Sequence, residues 1–241
     1  MNNIEPLDQP PQFKKKKNSK VLLLIIIGGL VLAMLAGFFF FRMQVEPPPE
    51  PVNEKPIIYL YPEQKTTINV QLNYRGTLTT TYPKYDLDKG WEVEAQPDGT
   101  LWDTKTEKEY YGLYWEGRAH WPFDLSTGFV VKGEETADFL DEKLAKLGLN
   151  RREANEFIVY WLPQLEQNEY NLIHFAQEAY QALAELNISP KPETLIRVFM
   201  VFEPLDNYIN IPEQDLPTVE RKGFTVVEWG GSKYPKRTNY E

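Results

Sequence analysis

The feature that most constrains this chain is Val21 to Phe41, VLLLIIIGGLVLAMLAGFFFF, which contains no charged residue. At 1.5 Å rise per residue a helix of this length covers about 31 Å, the thickness of a hydrocarbon core. In lipid the backbone of such a segment has to satisfy its own hydrogen bonds, so a helix is expected. Lys14, Lys15, Lys16, Lys17 and Lys20 precede the run and only Arg42 closely follows it. That asymmetry keeps residues 1–20 as a cytoplasmic basic tail and places everything after Arg42 outside the cytoplasmic membrane. The competing reading is a cleaved signal peptide with a small-residue site at Val31-Leu32-Ala33. The run continues past that site to Phe41 and is longer than a signal core, which favours an uncleaved single-pass anchor over 21–41.

Charge divides the chain in the same place. Residues 1–42 hold six basic and two acidic side chains, and the remainder holds 20 basic against 33 acidic, a net charge of −13. A strongly acidic exported part argues against nucleic acid or anionic lipid as its partner. With no cysteine, disulfides, thiolate metal ligands and cysteine nucleophiles are excluded.

Residues 42–55 form a proline-rich linker, with Pro47, Pro48, Pro49 and Pro51 followed by Pro56, which favours extended polyproline II. Residues 56–232 are then expected to form one domain, with a short tail at 233–241. Thr67 to Tyr74 alternates apolar and polar residues, as a half-buried antiparallel strand does. Trp91, Val93 and Ala95 alternate with Glu92 and Glu94, and the Asp98-Gly99 turn predicts a hairpin from 91–95 to 100–104. Further strands are expected over 57–61, 76–82, 110–116 and 128–132. Two amphipathic helices follow, over 134–147 ending at Gly148, and from an Asn150/Glu153 capping box to Leu162, with Pro163 as the stop. Residues 195–202 and 223–229 are apolar on both faces save Arg197 and Glu228, and predict central strands covered on both sides. The fold class is α+β: a mainly antiparallel sheet or β-sandwich with a two-helix insertion, preceded by one transmembrane helix.

Chemistry-bearing patterns are few. No Gly-x-Ser-x-Gly, phosphate-binding or dinucleotide-binding pattern occurs, and His120 and His174 are the only histidines, so no metal and no cofactor is expected. Asp86-x-Asp88-x-Gly90 lacks the distal ligands of a calcium loop and reads as a polar turn. The stretch from Tyr110 to Trp121 is the densest in aromatics, and Tyr111, Tyr114, Trp115, His120 and Trp121 are the candidate ligand-binding residues, for a glycan or a protein of the cell envelope. The competing role for these aromatics is core packing in strands. Glu116 and Glu228 are the candidate catalytic pair, since two carboxylates flanking a bond can cleave a glycoside. A structural ion pair between Arg197 and Glu228 accounts for the same charges without a substrate, and is the favoured reading.

Several segments together resemble a group of uncharacterised bacterial proteins: KPIIYLYP at 55–62, YWEG at 114–117, GFVVKG at 128–133, NEFIVYWLP at 155–163, LIRVFMVF at 195–202 and ERKGFTVVEWGG at 220–231. The resemblance covers 55–232 and implies a bacterial source and a single domain. It carries no activity and no catalytic residue. The expected protein is a membrane-anchored, non-catalytic binding or structural module of the envelope, and the alternative is a glycan-cleaving enzyme.

Overall fold

A computed structural model describes residues 24, 27–35, 52–119 and 123–234. The chain divides into two units, Met1–Pro49 and Glu50–Glu241. In the first, residues 27–35 are helical. Among the described residues no helix is long and apolar enough to cross a membrane. Most of the expected 21–41 span, the basic tail, the linker up to residue 51, His120, Trp121 and the C-terminal residues from 235 onward lie outside the described residues.

The second unit is α+β and mostly antiparallel. One sheet has seven strands, in the order β3 (Thr77–Tyr82), β7 (Leu113–Arg118), β1 (Val52–Tyr61), β12 (Thr225–Lys233), β11 (Thr194–Leu205), β9 (Tyr170–Phe175) and β8 (Phe129–Lys132). The other has five, β10 (Ala184–Ser189), β2 (Thr66–Tyr74), β4 (Trp91–Ala95), β5 (Leu101–Asp103) and β6 (Lys108–Tyr110). All ladders are antiparallel except β11 with β12, which run parallel from Thr194↔Thr225 to Phe202↔Lys233. Strand β1 begins at Val52, inside the stretch expected as linker.

Period-two alternation builds three layers. In β1, Ile58 and Leu60 meet Ile68, Val70, Trp91, Val93 and Leu101 of the smaller sheet and form a sandwich core. Ile57 and Tyr59 point the other way, into a second core with the helices. Strand β11 divides in the same manner, with Phe199 and Val201 between the sheets and Ile196, Val198, Met200 and Phe202 beneath the helices. This is why β11 and β12 read as continuous apolar runs: both faces are covered.

The helical layer is α1 (Thr136–Lys146) and α2 (Arg151–Leu165). Leu140 and Leu144 of α1 meet Ala154, Phe157, Trp161 and Leu165 of α2 over the sheet. Gly148 ends the α1 segment with φ +93°, a conformation without steric cost only for glycine. Asn150 and Glu153 form the reciprocal capping box that starts α2. Pro163 does not stop this helix, which runs on to the buried Leu165. The lost N–H bond falls in the last turn, where burial of Leu165 against the sheet offsets it.

Four elements have no counterpart of their own in the sequence expectations: β6, β9, helix α3 (Gln177–Leu183) and β10. Strand β9 joins the large sheet beside β11, and β10 forms an edge of the small sheet beside β2. Helix α3 links them and sends Tyr180 into the sandwich core.

Candidate functional site

The structure separates the candidate catalytic pair. In β7, Trp115 enters the inter-sheet core, so its neighbour Glu116 points to the opposite face of the strand and is half-buried. In β12, Val227 and Trp229 lie under the helices, so Glu228 points between the sheets, where it is fully buried. Two carboxylates on opposite faces of one sheet cannot flank one glycosidic bond, so Glu116 and Glu228 do not form the expected acid pair.

Glu228 is instead enclosed by partners. Arg197 Nε lies 2.6 Å from its Oε2, and Trp115 Nε1 donates to its Oε1 at 3.0 Å. The two charges are adjacent in register, Arg197↔Glu228 in the parallel ladder. Tyr180 stacks over the guanidinium at 4.6 Å and on Phe199 at 4.1 Å. Burial opposes the charge of Arg197, and the adjacent Glu228 more than offsets it, so the guanidinium is held more firmly protonated than usual. Burial and the Glu228 charge push the Tyr180 phenol well above its ordinary range. Trp115, a candidate for ligand binding or for core packing in the sequence, is thus a core residue with its indole N–H committed to Glu228.

The other expected ligand residues are dispersed. Tyr114 is half-buried on the Glu116 face of β7, and Tyr111 precedes that strand with 55% of its surface exposed. The Asp86 turn is closed by its own carboxylate, which accepts from the N–H groups of Asp88 and Lys89 at 3.0 and 3.1 Å, as an ordinary polar turn does.

Tyr111 is nevertheless part of a site. It lines a cleft of about 330 Å³ with Tyr59, Tyr61, Asp98, Glu109 and Arg152. Strand β1 supplies the first two tyrosines at i and i+2, so their rings share a face, with centroids 6.4 Å apart and planes 2° from parallel. The Tyr111 ring lies 6.4 Å from that of Tyr59, tilted by 43°. Helix α2 fixes the tyrosines from the other side. The Tyr59 hydroxyl donates to Glu156 at 2.5 Å, and Glu156 also accepts from Arg152 Nε at 3.2 Å. Glu153, one turn earlier, accepts from the Asn150 N–H at 2.9 Å and pairs with Arg221, whose guanidinium stands 5.7 Å over the Tyr61 ring.

Burial, with Glu156 beside Tyr59 and Glu153 beside Tyr61, raises both phenols far above their ordinary value, so both hydroxyls keep their protons. The β4–β5 turn closes the cleft, with Gly99 against the Tyr61 ring. Asp98 accepts from the Thr100 N–H at 2.9 Å, which lowers its carboxyl below the usual value. The available signal in the sequence was Tyr59 and Tyr61 in the otherwise apolar stretch Ile57–Tyr61: two phenols on one face require polar partners. The contribution of Asp98 and Glu109 depends on how the small sheet folds over, which no local pattern encodes.

Among known proteins, the chain is similar to an uncharacterized protein encoded in the bglA 3' region of Butyrivibrio fibrisolvens, 45% identical over 64 residues. That match covers 26% of this chain and 65% of the relative, so the chain spans just under two thirds of the relative's length. No family model and no solved structure matches the chain.

Proposed function

We propose that this chain is a single-pass membrane protein, anchored through 21–41 with its N-terminus in the cytoplasm, whose exported domain is a non-catalytic binding module of a bacterial envelope. The tyrosine-walled cleft is the observation that supports binding: aromatic faces and fixed polar groups converge in one concavity of ligand size. Two buried charges of the central strands, Arg197 and Glu228, are engaged with each other, and Glu228 with Trp115. The ligand belongs to the envelope that the domain faces, and its glycan is the first to try.

The test incubates the chain in mild detergent with purified cell-wall glycan. It measures protein sedimenting with the polymer and new reducing ends in the same tubes. Co-sedimentation without new ends, reduced in Tyr111→Ala, is the expected result. Release of reducing ends would make the protein an enzyme, and sedimentation unchanged in Tyr111→Ala would remove the cleft from the account. The lack of native cysteine gives a clean topology test. Lys108→Cys should react with an impermeant maleimide in intact cells, and Asn3→Cys only after lysis. The reverse pattern would contradict the orientation.

A further inference from the structure

The charge of the cleft narrows what it can hold; this step rests on the binding reading above. Of its charged residues, Arg152 is paired with Glu156. Asp98 and Glu109 are exposed and make no ion pair among the described residues. The Thr100 N–H keeps the Asp98 carboxyl ionised. The cleft therefore presents two uncompensated negative charges beside the electron-rich faces of tyrosine rings.

Both features attract a cation, and they attract it more strongly as water is displaced. The domain already holds cations in this manner, with Arg221 5.7 Å over Tyr61 and Lys55 Nζ 4.8 Å over Tyr160. A neutral glycan can offer those carboxylates only hydroxyl hydrogen bonds and leaves both charges uncompensated, and an anionic one would be repelled. Tyr111, more than half exposed at the mouth, offers a flat face for a pyranose ring, whereas Tyr59 is buried and forms the floor. We infer that the cleft binds an amino sugar whose protonated amine sits between the tyrosine rings and the carboxylates of Asp98 and Glu109.

The test is calorimetric titration of the full chain in mild detergent, at a pH near 6 where the amine is charged. Glucosamine oligomers are compared with N-acetylglucosamine oligomers of equal length. The charged oligomer is expected to bind at least ~10-fold tighter, to lose that margin in Asp98→Asn/Glu109→Gln, and to weaken with added salt. Tyr111→Ala is expected to weaken both oligomers, since the stacking face serves either. These three side chains are exposed, so the variants leave the two cores intact.

Equal affinity for the two oligomers, lost in Tyr111→Ala, would overturn the amine and leave the binding reading standing. Charged-oligomer binding that survives all the variants would be general attraction to an acidic domain and would overturn the site. Tetramethylammonium displacing the oligomer as well as glucosamine does would assign the cleft to ammonium alone and overturn the sugar. No binding of either oligomer would overturn the inference, and the sedimentation test would then decide the broader reading separately.

Discussion

Replacing Arg197 with methionine tests how the inter-sheet core holds a charge. The substitution keeps much of the apolar stem and removes the only cation that, among the described residues, pairs with Glu228, a carboxylate that has no solvent exposure. Removing one partner of a buried pair costs about 3–5 kcal/mol, because the other charge stays behind without compensation. That is a large share of the roughly 5–15 kcal/mol that holds a domain together. The pair itself is imperfectly satisfied, since Arg197 Nη2 has no hydrogen-bond partner. The double variant Arg197→Met/Glu228→Gln removes both charges and keeps an acceptor for Trp115 Nε1. It should therefore cost less than Arg197→Met alone, with a coupling energy of about 2–3 kcal/mol.

Urea unfolding of the full chain in mild detergent, followed by tryptophan fluorescence, measures all four species. Additive costs in the double variant, with no coupling energy between the two positions, would refute the reasoning.

Other consequences can be checked in parallel. Glu153→Gln removes the charge that pairs with Arg221 and accepts from Asn150, and should cost about 1.5–3 kcal/mol in thermal unfolding; a loss below about 0.5 would contradict the role given to it. Gly99→Ala places a methyl 2.7 Å from the Tyr61 ring at φ +91°, so it should cost about 1 kcal/mol or more and weaken binding in the cleft, and unchanged values of both would contradict that packing. Tyr59, Tyr61 and Tyr180 all have raised pKa values, so the folded state keeps protons that the unfolded state loses above about pH 10. Stability should fall above that pH, and these three phenols should ionise only on unfolding, seen as a late step in phenolate absorbance. A single smooth titration of every tyrosine in the folded state would argue against their burial.

The layering was readable where periodicity is strong. Ile68, Val70 and Leu72, the Trp91–Ala95 hairpin, the Asn150 capping box and the two apolar strands each carry a local pattern that survives in the fold. Arg197 and Glu228 stand out as the charged residues within 195–202 and 223–229, and the structure sets them side by side. What escaped depends on partners distant in sequence. Strand β10 is half exposed at a sheet edge and takes its register from β2, more than a hundred residues earlier. Pro163 looked like a stop because its cost is local, whereas the burial of Leu165 that offsets it is tertiary. The aromatic run after Tyr110 drew attention through its density, yet alternation sends Trp115 inward. The residues that join Tyr111 in a cleft come from β1, the β4–β5 turn, β6 and α2. Carboxylate pairing failed as a guide for the same reason: strand parity, not proximity to a tryptophan, decides which face Glu116 and Glu228 share.

The most direct test of the cleft is nuclear magnetic resonance on the chain with ring-labelled tyrosine, titrated with glucosamine oligomer. The expected result is saturable shifts confined to Tyr59, Tyr61, Tyr110 and Tyr111, with Tyr180 and Tyr85 in the sandwich core unmoved. Shifts scattered over the surface tyrosines, or saturable shifts centred on Tyr82 and Tyr208, would contradict a binding site in this cleft.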